Sequence, residues 1–225
     1  QKYNAILVHI KDGLWEVIYK NKRTEINKKD FSFTFENRNY YFDLAFMALH
    51  GPPAENGIIQ SYLDKIGLPY TSCGAKESAL TFDKNKCNET LKRMGFTCAI
   101  SFFYTKGESI NTSEIIQKVG LPCFVKPNSG GSSFGVSKIR KESELRLAID
   151  EALKHDSEVL IEQFIEGVEV SCGIFKNKKI EVFPVTEIVS HNEFFDYKAK
   201  YQGFSDEITP ARISTQETHK IKETT

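Results

Sequence analysis

The chain has 225 residues, 40% hydrophobic and 27% charged, a composition that can build a packed core and does not favour disorder. Lys plus Arg is 30 and Asp plus Glu is 30, for a formal net charge of zero, which argues against a bulk electrostatic nucleic-acid binder but leaves room for a local basic pocket. No apolar stretch is long enough to span a membrane, and residues 1–9 lack the long apolar core and cleavage site of a signal peptide.

Ala5–Val8 and Trp15–Tyr19 read as strands around a turn at Asp12-Gly13, and Lys20 to Asp30 as a polar loop. Tyr41 to Leu49 is a near-continuous apolar run, which predicts a strand buried on both faces of a parallel sheet and ending at His50-Gly51. Asn56 is expected to cap a helix that carries Ile58, Ile59, Tyr62, Leu63 and Ile66 on one face and stops at Gly67. Leu68–Tyr70 returns as a short strand, and the alternation points to an open α/β sheet. Glu77 to Met94 is predicted as one helix, stopped by Gly95. Ile100–Tyr104 is strand-like, and Thr112 is expected to cap a short helix that ends at Gly120. Cys123–Lys126 and Val136–Ile139 are strands on either side of a glycine- and serine-rich loop, Asn128 to Gly135. Leu145, Ala148, Ile149 and Ala152 have the i, i+3, i+4, i+7 spacing of an amphipathic helix. Val159–Phe164, Val168–Phe175 and Ile180–Val189 are predicted strands, so the second half reads as α+β. The five cysteines are odd in number, widely spaced and without C-x-x-C, as in reduced thiols rather than a disulfide frame or a zinc site.

Both ends read as cut. The chain opens directly into a strand. Ser214 and Glu217 have capping-box spacing, yet Ile221 is the sole large apolar residue that follows, so a stable helix is not expected there.

The strongest chemical signal is Phe124 to Val136. A lysine, Lys126, ends a buried strand, and a loop with three glycines and three serines follows. Such a loop can turn several backbone N–H groups and hydroxyls towards phosphate oxygens, with Lys126 supplying charge. It is not a Walker A loop, because Val136 stands where lysine is required. An ordinary flexible hairpin is the competing reading. Lys84 taken singly is a solvated helix charge. His50 sits at a strand end where α/β folds place ligands, and Glu55 follows as a helix-start acid. Glu162 lies inside an apolar strand and needs a ribose, a metal or a lysine as partner. The segment Asn192 to Tyr201, with four aromatics and two lysines, reads as a lid or as an anchored surface loop.

Taken in order, His50-Gly-x-x-x-Glu55-Asn-Gly57, Gln60, Pro69-Tyr70, Asp83-Lys84, Val125-Lys126-Pro127, Gly131-Ser-Ser-x-Gly135, Glu162-x-x-Ile165-x-Gly167-x-Glu169, Pro184-x-x-Glu187-Ile188, Phe195-Asp-Tyr-x-x-Lys200-Tyr201 and Pro210-Ala211 resemble the D-alanine–D-alanine ligases of the ATP-grasp superfamily. The resemblance runs from about Tyr41 to Arg212. It implies an ATP-grasp fold, with residues 1–75 as an N-terminal α/β domain, 76–160 as a central subdomain carrying the phosphate loop, and 161–225 as the first part of a C-terminal subdomain with the lid. It further implies ATP with Mg²⁺, or Mn²⁺ in its place, D-alanine as substrate, a homodimer and a bacterial cytoplasmic setting without nucleic-acid or membrane partners. By motif match, Lys84 and Lys126 are implied on the ATP phosphates, and Gly131, Ser132 and Ser133 in the loop covering them. Glu162, Gln163, Phe164 and Ile165 match the adenine strand, and Glu169 the ribose acid. His50, Ser132, Lys200 and Tyr201 are implied around the reacting groups. No metal ligand is implied within the chain; those of the family are expected beyond residue 225. Tyr201 resembles the dipeptide-forming members. Ala54, where the family commonly has glycine, and Gln163, in place of a frequent lysine, are departures. A nucleotide-binding fragment without catalysis and another ATP-grasp carboxylate–amine ligase remain the alternatives.

Overall fold

The computed structural model describes residues 2–11, 13–191 and 203–225. The chain divides into two compact units, Gln1–Thr81 and Phe82–Thr225.

In the first unit, β1 (Leu7–Lys11), β2 (Leu14–Tyr19) and β3 (Lys22–Glu25) form an antiparallel meander. A second hairpin pairs β4 (Phe33–Phe35) with β5 (Arg38–Tyr40). The core is aromatic: Val17, Ile26, Phe31, Phe33 and Phe35 are buried, and Trp15 meets Tyr62 edge-on at 4.8 Å. The strand β3 replaces the polar loop expected over Lys20 to Asp30. It is an edge strand with mostly exposed side chains, so its pairing leaves no apolar alternation in the sequence. The predicted strand Tyr41–Leu49 shrinks to β6 (Ala45–Phe46), which runs parallel to β7 (Tyr70–Thr71). It is not buried on both faces: Tyr41 and Phe46 are 67% and 80% exposed. Apolar content alone supplied no ladder partner beyond the two residues of β7.

Helix α1 (Ile58–Ile66) buries Ile59, Gln60 and Leu63 and ends at Gly67, whose φ of 71° is left-handed. Its N-cap is Gly57 rather than Asn56. Asn56 Oδ1 still accepts from the Ile58 N–H at 3.3 Å. A Cβ at Gly57 would lie 2.2 Å from the Ala75 carbonyl oxygen, so only glycine fits.

The expected helix Glu77–Met94 is two helices, α2 (Ala75–Phe82) and α3 (Lys84–Arg93). Asp83 breaks them with an extended backbone, and its carboxylate accepts from the Lys86 N–H at 3.0 Å. An N-capping aspartate competes with continued helix, and here it wins.

The second unit is organised by a four-stranded antiparallel sheet in the order β10-β9-β11-β8. Its strands are β8 (Ser101–Thr105), β9 (Cys123–Pro127), β10 (Ser137–Ile139) and β11 (Glu158–Gln163). The period of two sorts the side chains. Cys123, Val125, Ile139, Val159 and Ile161 are buried in one core cluster with residues of α4 (Thr112–Val119) and α5 (Glu142–Ala152). Leu145, Ala148, Ile149 and Ala152 are all buried, as the spacing required. The cap of α4 is Asn111, whose side chain accepts from the Glu114 N–H, one residue before the expected Thr112. Thr112 instead donates to Glu142 Oε1 at 2.8 Å, joined by Ser113 at 2.6 Å, which ties the starts of α4 and α5 together.

Beyond this sheet, β12 (Glu169–Ser171), β15 (Thr186–Ser190) and β16 (Ser205–Ile208) form a second antiparallel sheet, and β13 (Ile174–Lys176) pairs with β14 (Ile180–Val182). The two longer strands predicted over this region are each interrupted. Pro184, which has no N–H to give a ladder, falls between β14 and β15. Helix α6 (Thr215–Thr224) forms where none was expected to be stable. Its capping box is complete: Ser214 Oγ accepts from the Glu217 N–H at 3.2 Å, and Glu217 Oε2 accepts from the Ser214 N–H at 2.8 Å.

Candidate active site

Strand β9 alternates buried and half-buried, which sends Phe124 and Lys126 to the sheet face opposite the core. Antiparallel pairing sets Glu162 across from Phe124, and Lys138 across from Phe124 on the other side. The Lys126 ammonium and the Glu162 carboxylate form an ion pair, and Asn88 Nδ2 donates to the other Glu162 oxygen at 2.7 Å. Of the partners open to Glu162, the lysine is therefore the one observed. The side chains of Lys126 and Glu162 are 26% and 13% exposed, so the pair is partly withdrawn from water. Lys138 lies 3.8 Å from the centroid of the Phe164 ring, and Phe124 and Phe164 pack at 6.1 Å.

The loop after β9 turns back sharply. Ser132 and Ser133 take φ of 54° and 58°, a left-handed pair that non-glycine residues rarely adopt. Gly135 has φ of 68°, and a Cβ there would lie 2.5 Å from His155 Cδ2 and 2.9 Å from Pro127 Cγ. Phe134 stacks on His155 at 6.5 Å. Successive N–H groups at such a turn form a concavity suited to an anion.

Lys84 opens α3, and its ammonium donates to the carbonyls of Pro127, Asn128 and Gly130 at 3.0, 3.2 and 2.9 Å. Helix start and loop thus meet at one point. Lys84, Lys126, Gly131, Ser132, Ser133 and Glu169 line a common cleft of 330 Å³. The apolar part of its wall comes from Phe124, Phe134 and Val136.

The other predicted residues are placed as follows. Gln163 lies at the end of β11 and exchanges hydrogen bonds with Ile100, its N–H reaching the Ile100 carbonyl at 2.9 Å. The Phe164 N–H donates to the Pro122 carbonyl at 3.3 Å, and Ile165 is 65% exposed. His50 belongs to the first unit, where its Nδ1 is 3.7 Å from Glu55 Oε1. Glu55 precedes the cap of α1 and is not in its first turn, so it does not act as the helix-start acid expected of it. Lys200 and Tyr201, with the rest of the expected lid, lie outside the described residues. Among the described residues, no group of three or more His, Cys, Asp or Glu could hold a metal ion.

Sequence reasoning did not single out Asn88, Asn128, Lys138 or His155. For Lys138, the two-residue period and its place across from Phe124 would have sufficed. Asn88, Asn128 and His155 reach the site through contacts 74, 45 and about 20 residues away in sequence, for which no local pattern exists.

Known proteins resemble this chain over nearly its whole length. The family model described as "D-ala D-ala ligase C-terminus" matches residues 91–225. A D-alanine–D-alanine ligase from Flavobacterium johnsoniae is 51% identical over 99% of this chain and 70% of the relative. One from Parabacteroides distasonis is 49% identical over 98% of this chain and 68% of the relative. Among solved structures, the VanG D-Ala:D-Ser ligase from Enterococcus faecalis superimposes with a TM-score of 0.82 at 29% identity, covering 99% of this chain and 71% of that one. D-alanyl-alanine synthetase A from Vibrio cholerae gives 0.84 at 23% identity, covering 97% and 68%, a likeness of fold. The family match, the identity to these relatives and the shared fold together place the chain in the D-alanine–D-alanine ligase family.

Proposed function

We propose that this chain carries out the ATP-dependent joining of two D-alanines for peptidoglycan precursor synthesis. ATP phosphorylates the carboxylate of one D-alanine and ADP leaves. The amine of the second D-alanine attacks the acyl phosphate, and inorganic phosphate departs with the C–O electron pair. The chemistry demands that negative charge on the transferring phosphoryl group be spread over fixed positive groups. The observation that carries the reading is the convergence of Lys84, Lys126, the Gly131–Ser133 turn and Glu169 on one cleft.

In this reading Lys84 and Lys126 face the phosphates and the turn covers them. Phe164, with Glu162, Gln163 and Ile165 beside it, borders the base, and Glu169 takes the ribose. Gln163 offers its backbone rather than a charge to the base. His50, Ser132, Lys200 and Tyr201 serve the reacting carboxylate and the closure of the site. Residues 1–75, 76–160 and 161–225 act as the N-terminal domain, the central subdomain with its phosphate loop and the start of the C-terminal subdomain. Mg²⁺ accompanies ATP; among the described residues no group of three or more His, Cys, Asp or Glu forms a ligand cluster for it. A homodimer in the bacterial cytoplasm completes the reading; no helix among the described residues is long and apolar enough to cross a membrane.

The test is release of phosphate from ATP with Mg²⁺, with and without D-alanine. D-alanine-dependent release that yields the dipeptide is the expected result. Nucleotide binding with no dependence on D-alanine would instead favour a binding module or a ligase for another carboxylate and amine.

A further inference from the structure

Asn128 is fully buried, and it sits at the hinge between β9 and the phosphate loop. Its two side-chain N–H groups donate to Asp83 Oδ1 at 3.0 Å and Glu158 Oε2 at 2.9 Å. Its side-chain oxygen accepts from the Asn85 N–H at 2.9 Å. Its backbone is as fully used: the N–H donates to the Glu158 carbonyl at 2.9 Å, and the carbonyl accepts from the Lys84 N–H at 3.1 Å. Three elements are thereby joined: the start of α3, the end of β9 and the start of β11. The residues it grips, Asp83 to Asn85, are those that carry Lys84. The next residue, Ser129, is fixed in turn by its N–H donating to Asp156 Oδ2 at 2.6 Å.

We propose that Asn128 is a positioning residue that fixes the first turn of α3 against the phosphate loop, and so sets where the Lys84 ammonium meets the nucleotide. The inference rests on the reading of the cleft as an ATP site. A buried amide that satisfies two carboxylates and a helix-start N–H in one place has no apolar substitute: removing it takes that partner from Glu158 and from the Asn85 N–H, and leaves Asp83 held by Lys86 alone. Lys84 would then have to be ordered at the expense of binding. Asn128 touches no reacting group, so its effect falls on nucleotide affinity and passes through Lys84.

The experiment compares native protein, Asn128→Ala, Lys84→Ala and the double variant, reading the affinity for a fluorescent N-methylanthraniloyl ATP, the KM for each substrate and the melting temperature. Loss of one buried hydrogen-bonding group sets the expected weakening of nucleotide binding by Asn128→Ala at about tenfold, with the KM for D-alanine unchanged. In the Lys84→Ala background the same change has little further effect, because the two residues act as one unit. Equal losses in both backgrounds, or a lowered melting temperature with native affinity, overturn the proposal. If Asn128→Ala does not fold, Asn128→Ser, which keeps a hydroxyl at the node, is judged by the same cycle. If the native protein itself does not bind the nucleotide, the reading of the cleft fails and the inference fails with it; native binding with unchanged Asn128→Ala affinity removes the inference alone.

Discussion

Lys126 illustrates how one side chain serves two demands. In the structure its charge is answered by Glu162, which Asn88 also holds. In the proposed reaction it faces a triphosphate, a denser negative charge. Lys126→Ala is therefore expected to raise the KM for ATP on the order of 10- to 100-fold, the worth of a charge-assisted hydrogen bond. Steady-state kinetics at saturating D-alanine checks this, and a native KM would remove Lys126 from the phosphate site. The lysine was legible in the sequence because it ends an apolar strand before a glycine-rich loop. Its partner was legible only as a need, since a carboxylate inside an apolar strand must be paired but the strand does not name the pair.

At the level of elements, the phosphate loop and the helices obey different rules. The loop is held by steric fit. Gly135→Ala would force a left-handed φ on alanine and drive its Cβ into His155 and Pro127. A loss of about 1–3 kcal/mol in stability is expected, with weaker ATP binding, measured by urea denaturation and by nucleotide titration. The helix α5 is held by burial, as its periodicity announced. Leu145 is fully buried in its core, so Leu145→Ala should cost about 3 kcal/mol, read from the same denaturation curves. Helix α6 departs from that rule. It buries no residue, and its capping box ties down its start. The break between α2 and α3 falls at Asp83, a capping residue type inside eighteen residues of helical composition that read as one helix.

For the molecule as a whole, the zero net charge conceals charges that are paired locally. Buried Glu187 in β15 accepts from Arg212 Nε at 2.9 Å and Nη2 at 2.8 Å, and from the Arg212 backbone N–H at 3.1 Å. These hydrogen bonds, with the guanidinium charge, hold its carboxyl at about 2, below the ordinary value of 4.5. A depressed carboxyl stabilises the folded state above its unfolded value. The contribution is whole at neutral pH and is lost as pH falls from about 4.5 towards about 2. Arg212→Ala should lower stability at pH 7, and the gap to the native protein should narrow as pH drops through that window. Denaturation curves at pH 7 and pH 3 check the sign; a gap of constant size would show that Glu187 does not titrate with folding.

The sequence by itself determined the amphipathic helices α1, α4 and α5, the strand β9 with its lysine at the end, and the ordered motifs that place this chain among the D-alanine–D-alanine ligases. Each of these is a local regularity, written by a period of 3.6 or 2 or by residues adjacent along the chain. Only the tertiary structure decided that Lys20 to Asp30 holds an edge strand, that most of Tyr41–Leu49 stays out of a ladder, and that Glu162 pairs with Lys126. It alone decided that Asn128 gathers Asp83, Asn85 and Glu158. The edge strand pairs with its neighbour β2 and is hidden only because its exposed side chains show no apolar alternation; the other three share one physical reason. A strand needs a partner and a buried polar group needs its complement, and in a folded chain either can lie many residues away, where no local pattern records it.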